Sequence, residues 1–282
     1  MSKIVAFQGI AGAYSEQAIH QYFGPQVEAR ACRTLEEIFL AVEEGEADHG
    51  MLPVENAVAG SVRRSYQLLL EHDLRVHTEV ILHVRHMLMA PPGTSLDEIE
   101  RVRSHPQALA QCQRYLERHG FEPESSFDTA GSARDLAAGP EPGVASVASS
   151  LAADLYDLEI LDQDIEDYAF NYTRFFVLAR ESPPRAPRNK TSLIFTTPHQ
   201  PGALYDCMGE FAKRRINLSK IESRPRLNRP WQYIFYLDFE GHCQDPCCEA
   251  AIMGLLRRSS FVKLLGSYPA ATTPMPMDSK DS

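Results

Sequence analysis

Short apolar runs alternate with helical periodicity over the first 180 residues of the chain. "KIVAFQ" (residues 3–8) has the length and composition of a buried strand, and "GIAGAYSEQAIHQYF" turns through glycines into a helix. "TLEEIFLAVEEGEAD" predicts a second helix, with Thr34 and Glu37 at capping-box spacing and Gly45 as its stop. "HGMLPV" reads as a strand, "ENAVAG" as a loop, and Ser61 to about His72 as a helix. After "TEVILHVRHMLMA" the pattern restarts with strand "RVRSH" and helix "PQALAQCQRYLERHG", bounded by Pro106 and Gly120. A helix capped by Asp128, strand "VASVAS" and helix "SLAADLYDL" follow, and "NYTRFFVLA" closes the series. Repeated strand–helix units predict mostly parallel sheets wrapped by helices. The simplest arrangement is two α/β lobes, one of residues 79–159 inserted into another of residues 1–78 with 160–180. A site in such a fold lies in the cleft beyond the carboxyl ends of strands.

"ESPPRAPRN" (181–189) is rich in proline and charge without periodicity and reads as a linker. Residues 190–269 then give strand, helix, two strands, helix and strand, the βαββαβ order of the ferredoxin-like plan. In "YIFYLDF", Ile234, Tyr236 and Asp238 alternate with Phe235, Leu237 and Phe239, which predicts one covered face. Residues 270–282 are expected to be a disordered tail.

The formal net charge of -10 is spread along the chain, which argues against nucleic acid or an anionic membrane as the main partner. A few arginines in a cleft still suit an anionic small molecule. No apolar run reaches the length of a membrane span, and the chain opens into a strand pattern without a signal core, so a cytoplasmic location is expected. The six cysteines have no disulfide framework. "HCQDPCC" (242–248) is the one cluster, but Asp245–Pro246 reads better as a helix N-cap with proline in the first turn, and reduced thiols are preferred to a metal site.

Four polar stretches stand at strand–helix junctions: "GIAGAYS", "PVENAVAG", "SHPQALAQC" and "NYTRF". The first lacks dinucleotide-fingerprint spacing and is either a tight turn feeding a helix or a carboxylate-binding helix N-terminus. Glu55 and Asn56 either organise a turn or line a cleft. Ser104 is a cap or a site residue, with Gln111 seven positions on along one helix face. His105 is the obvious base, though a histidine beside a helix start is more often structural. Thr173 and Arg174 stand at the mouth of an apolar strand, where a charge needs a partner: a ligand carboxylate, or Asp164, Glu166 or Asp167.

Taken in order and spacing, "GIAGAYSE", "PVENAVAGSV", "SHPQALAQC" and "NYTRFFVLA" resemble the prephenate dehydratase family. The region after the linker resembles that family's regulatory ACT domain, through "GAL" (202–204) and "ESRP" (222–225). The resemblance spans residues 3–269; Ala57 stands where "PVENS" is the commoner form, and no segment for a fused chorismate mutase precedes Lys3. It implies a two-lobed, periplasmic-binding-protein-like catalytic domain over 1–180 and an ACT domain over 190–269. It implies decarboxylating dehydration of prephenate to phenylpyruvate, without metal or organic cofactor. Thr173 would assist the departing hydroxyl, Arg174 would hold a carboxylate or the pocket wall, and Phe175 would give a dry ring-side surface. Glu55, Asn56, Ser104 and Gln111 would be hydrogen-bonding residues of the cleft. L-Phenylalanine would bind at the ACT domain through Gly202, Ala203, Leu204, Asn217, Leu218, Glu222, Ser223, Arg224 and Pro225, in a homodimer or homotetramer. Arogenate dehydratase is the near alternative, and a non-catalytic amino-acid sensor the distant one.

Overall fold

The computed structural model describes residues 3–226 and 229–272; all but the first three residues of the expected disordered tail lie outside them. The chain opens with β1 (Ile4–Gln8), α1 (Tyr14–Phe23), β2 (Glu28–Cys32), α2 (Leu35–Glu43), β3 (His49–Asn56), β4 (Gly60–Ser61), α3 (Arg63–Glu71) and β5 (Arg75–His83). A second set follows: β6 (Met87–Ala90), β7 (Arg101–Ser104), α4 (Pro106–Gln111), α5 (Gln113–His119), β8 (Glu122–Ser125), α6 (Thr129–Ala138), β9 (Val144–Ala148), α7 (Ser150–Tyr156) and β10 (Glu159–Asp162). Then come β11 (Tyr172–Ala179), β12 (Asn189–Thr196), α8 (Ala203–Ala212), β13 (Leu218–Arg226), β14 (Arg229–Glu240), α9 (Pro246–Arg258) and β15 (Phe261–Pro269).

The first sheet runs β2-β1-β3-β11-β5, with β4 folded back on β3, and the second runs β10-β6-β9-β7-β8. This is the two-lobed α/β plan. β1 is parallel to β2 and β3, and β7 to β8 and β9, but β6 is antiparallel to β9 and β10, so the second sheet is mixed. The chain passes from the first sheet to the second between His83 and Met87 and returns between Asp162 and Tyr172, a few residues beyond the divisions drawn at 79 and 160. Alternation sets the first of these: Val76, Thr78, Val80 and Leu82 are all buried, and the period holds the strand in its sheet through His83.

Helix ends follow side-chain chemistry. Thr34 accepts from the Glu37 N–H, although the Glu37 carboxylate reaches Arg33 N–H rather than closing the box on Thr34. Asp128 caps α6 through the Gly131 N–H, and Gly120 ends α5 at φ 72°. The single helix expected from Pro106 to Gly120 is two, because the chain departs from helical geometry at Cys112.

By compactness the described chain divides into two units, residues 3–65 with 80–175, and residues 66–79 with 176–272. The second unit carries the sheet β13-β14-β12-β15, the ferredoxin-like order, over a core of Leu193, Phe195, Phe211, Leu237, Phe239 and Leu255. β14 is buried on both faces, not one: Ile234, Tyr236 and Asp238 are as enclosed as Phe235, Leu237 and Phe239. Residues 66–79 supply the extra cover, with the Tyr236 hydroxyl donating to Tyr66 O at 3.0 Å and Lys190 meeting buried Glu79 at 2.7 Å. A Cβ at Gly266 would stand 2.8 Å from Val76 O, so glycine permits that approach.

Among the described residues no helix is long and apolar enough to cross a membrane, and no group of three His, Cys, Asp or Glu is placed to hold a metal ion. Pro246 opens α9 as expected, but the Asp245 carboxylate turns back to the His242 N–H instead of capping the helix.

Candidate active site

Thr173 sits in the first two residues of β11, the strand between β3 and β5 in the first sheet. β3 does not stop at Val54; it continues through Glu55 and Asn56 and returns as β4, with Glu55 opposite Ser61 and Asn56 opposite Gly60. The stretch expected to be a loop is therefore the end of a hairpin. At its tip the Asn56 Oδ1 accepts from Val58 N–H at 3.0 Å and Ala59 N–H at 2.8 Å, a local asparagine turn. With its carbonyl held there, the Asn56 amide nitrogen points at β11. It donates to Asn171 Oδ1 at 2.8 Å and to Thr173 Oγ1 at 3.0 Å.

The chain of contacts continues inward. Asn171 Nδ2 donates to Gln111 Oε1 at 3.0 Å, and the same oxygen lies 2.8 Å from His86 Nε2. His86 Nδ1 lies 2.7 Å from the Tyr14 hydroxyl, with the two rings edge to face. Six side chains thus join end to end, from Tyr14 on α1 to Thr173 on β11, through Gln111 of the second lobe. His86 and Asn171 stand on the two segments that cross between the sheets. All four middle members are buried. Burial raises the Tyr14 hydroxyl well above its usual range and lowers the His86 imidazole, so both favour their neutral forms. Thr173 is half-buried and accepts from Asn56; among the described residues its own O–H meets no acceptor.

The other expected site residues are distributed differently. Ser104 is fully buried at the end of β7 and its hydroxyl donates to Val147 O at 2.6 Å; the α4 cap is His105, whose Nδ1 accepts from Gln107 N–H. Ser104 and Gln111 are therefore not on one helix face, because the helix starts only at Pro106. The cap also takes the lone pair that would make His105 a base. Strand alternation places Phe175 on the Thr173 side of β11, where it is buried, and Arg174 on the opposite side. The same rule puts Glu55 across β3 from Asn56. Of the three carboxylates near Arg174 in sequence, Asp164 pairs with Arg85, Glu166 accepts from His86 N–H, and Asp167 accepts from Arg114 N–H.

"GIAGAYS" is a turn packed on the second lobe. Ser149 donates to Gly12 O at 2.6 Å and Tyr156 to Ala11 O at 2.7 Å. Gly12 N–H is taken by Glu16, so this helix start has its own carboxylate. Gly12 has φ 88°, and a Cβ on it would stand 2.9 Å from Ala152 Cα, so the contact requires glycine twice over.

In the second unit, Gly202 precedes α8 at φ 81° with open space around it, and Asn217 is exposed just before β13. Glu222 pairs with Lys220 and with Arg224 at 2.5 Å, and both cations lie over the Tyr66 ring.

No sequence pattern by itself marks Tyr14, His86 or Asn171 as site residues. Asn171 and Tyr14 lie inside "NYTRF" and "GIAGAYS", and His86 lies in "TEVILHVRHMLMA", where a polar residue among apolar ones is the available signal.

The family model for prephenate dehydratase matches residues 5–183. "Arogenate dehydratase/prephenate dehydratase 2, chloroplastic" of Arabidopsis thaliana is 43% identical over 95% of this chain and 73% of its own length. A solved structure of prephenate dehydratase from Arthrobacter aurescens in complex with L-Phe superposes with a TM-score of 0.87 at 32% identity, covering 96% of this chain and 93% of that one. A structure described as GqqA, a novel type of quorum quenching acylase, superposes at 0.89 with 36% identity, covering 95% and 98%.

Proposed function

Because this chain belongs to the prephenate dehydratase family, we propose that it converts prephenate to phenylpyruvate by coupled loss of carbon dioxide and water. The observation that carries this reading is the polarity of the Thr173 hydroxyl. Its oxygen accepts from Asn56, which leaves its O–H to donate. In the reaction the bond from the ring to its carboxylate breaks, its electron pair enters the ring, and the bond to the ring hydroxyl breaks. That bond's electron pair leaves with the oxygen, which takes up a proton from solvent to become water, and aromatisation supplies the driving force. Thr173 gives that oxygen a hydrogen bond as charge develops. Phe175, on the same side of β11, keeps the adjacent wall apolar.

Arogenate, which carries an amino group in place of the keto group, is the alternative substrate, since the plant relatives bear both names. Assay of the purified chain with each substrate, comparing kcat/KM, decides between them; turnover of neither overturns the reading. That same assay excludes a non-catalytic sensor. The acylase similarity gives a different reading, in which a hydroxyl attacks an acyl carbon. That chemistry needs a base to take the hydroxyl proton, whereas Asn56 presents an N–H to Thr173.

Residues 1–180 are the catalytic part of this proposal and residues 190–269 an ACT regulatory domain. L-Phenylalanine binds near the start of α8, where the exposed Gly202 leaves backbone N–H groups for an α-carboxylate. Asn217 and the strand from Leu218 to Pro225 complete that site across an isologous dimer or a tetramer built from it. Inhibition requires unequal affinity for two arrangements of the lobes. Gly202→Val, strained at this φ but free of clash, is expected to weaken inhibition by phenylalanine while basal turnover persists.

A further inference from the structure

We infer that His86 is a positioning residue, held as the neutral Nε2–H tautomer, and that it anchors the inner end of the hydrogen-bond chain that turns the Thr173 proton outward. The inference rests on the dehydratase reading for its consequence but not for its geometry.

The direction can be read from the end where there is no choice. Val58 and Ala59 present backbone N–H groups, which can only donate, so Asn56 must present its oxygen to them. The Asn56 nitrogen then faces Asn171 and Thr173, and both must accept. Asn171, accepting through its oxygen, has only its nitrogen left for Gln111, so Gln111 presents Oε1. An oxygen already facing His86 at 2.8 Å requires a proton on Nε2. In a neutral ring Nδ1 is then bare, and the Tyr14 hydroxyl at 2.7 Å donates to it. Each amide orientation follows from its neighbour, and burial of His86 disfavours a second ring proton.

The opposite tautomer would reverse every partner. A bare Nε2 asks for the Gln111 amide nitrogen, which turns Asn171 round and sets its nitrogen against the Asn56 nitrogen. Asn56 would then either abandon Val58 and Ala59 or face Asn171 donor to donor. In the first case the Asn56 oxygen would accept from Thr173 and remove the proton needed at the departing hydroxyl. Tyr14 accommodates either state, since its one proton goes to Nδ1 when that atom is bare and to Arg85 O at 3.1 Å when it is not, so the choice is made at the Asn56 end of the chain. No residue of the chain other than Thr173 is required to touch substrate for this effect.

The test uses the full chain and two readouts. In the wild-type protein, 15N-resolved NMR of His86 is expected to show a protonated Nε2 and a bare Nδ1 at neutral pH; an Nδ1–H tautomer or a protonated ring overturns the inference. In steady-state assays with prephenate or arogenate, His86→Leu is expected to lower kcat about tenfold to hundredfold, a loss of orientation rather than of binding, with KM nearly unchanged. His86→Gln, which can still donate toward Gln111, is expected to recover most of that loss. Wild-type kcat in folded His86→Leu, or failure of His86→Gln to improve on it, overturns the positioning role. Should the wild-type chain turn over neither substrate, the dehydratase reading fails, while the NMR result still decides the direction of the chain.

Discussion

The two units each bury a polar network, and the networks end differently. In the second unit Ser192 donates to Asp238 at 2.5 Å and lies 2.6 Å from the Tyr268 hydroxyl, which must therefore donate to it. Beside it Thr191 donates to Gly241 O, Ser267 meets Thr191 at 2.8 Å, and Cys243 N–H donates to Ser267. These contacts tie β12 to β14 and β15, and every named hydroxyl proton has an acceptor inside the fold. In the first unit the chain from Tyr14 to Thr173 is just as continuous, but its last hydroxyl keeps a proton with no acceptor among the described residues. A closed network is a structural device, since unsatisfied buried groups are costly. An open one holds a donor ready for something outside the protein.

The sharpest way to break this contrast is to remove the open end. Thr173→Ala is expected to lower kcat about a hundredfold or more, the usual worth of positioned acid assistance, with thermal unfolding little changed. Near wild-type turnover in the folded variant would remove Thr173 from the chemistry. One link inward, Asn56→Ala should cost both ways. Orientation of Thr173 is lost, lowering kcat about tenfold, and the Val58 and Ala59 N–H groups lose their acceptor, lowering stability by about 1–3 kcal/mol; denaturant titration alongside kinetics separates the two. In the closed network, Tyr268→Phe is expected to lower stability by about 1–2 kcal/mol and to leave kcat as it was. A fall in kcat at constant stability would show that the second network is not purely structural.

The smallest effect concerns a buried carboxylate that the second unit uses as a tie. Glu210 meets Lys213, Arg214 and Arg258, and these cations hold its carboxyl down at about 2, below the ordinary value of 4.5. A depressed carboxyl stabilises the fold fully above its unfolded value, and the contribution fades as pH falls from 4.5 through about 2. Glu210→Gln should therefore lower the denaturation midpoint at neutral pH, with the gap to wild type closing across that acid window. A gap independent of pH would assign the effect to packing instead.

Much of the fold was legible because its elements are periodic. β5, β9 and β12 announce themselves by apolar residues, and Thr34, Asp128 and Gly120 mark helix ends by local chemistry. Of the strands that the periodicity does not predict, β2, β8 and β10 lie at sheet edges and carry polar, largely exposed residues such as Glu28, Glu122 and Glu159. There the period has no buried face to report. The site was legible where motifs name it, at Asn56, Gln111 and Thr173. It was not legible at His86, whose partner Tyr14 is 72 residues away and whose partner Gln111 is 25 away. No local pattern records a bond made through space, and no propensity distinguishes a histidine in a hydrogen-bond chain from one merely enclosed.

Glu210 also reaches across to α9, where a Cβ at Gly254 would clash with its carboxylate. A glycine in mid-helix weakens that helix by about 0.5–1 kcal/mol relative to alanine, so the residue is tolerated there for the room it leaves. The two positions should accordingly be coupled: alanine at 254 obliges the Glu210 carboxylate to swing away from the cations that hold it, and a shorter acid at 210 removes that conflict.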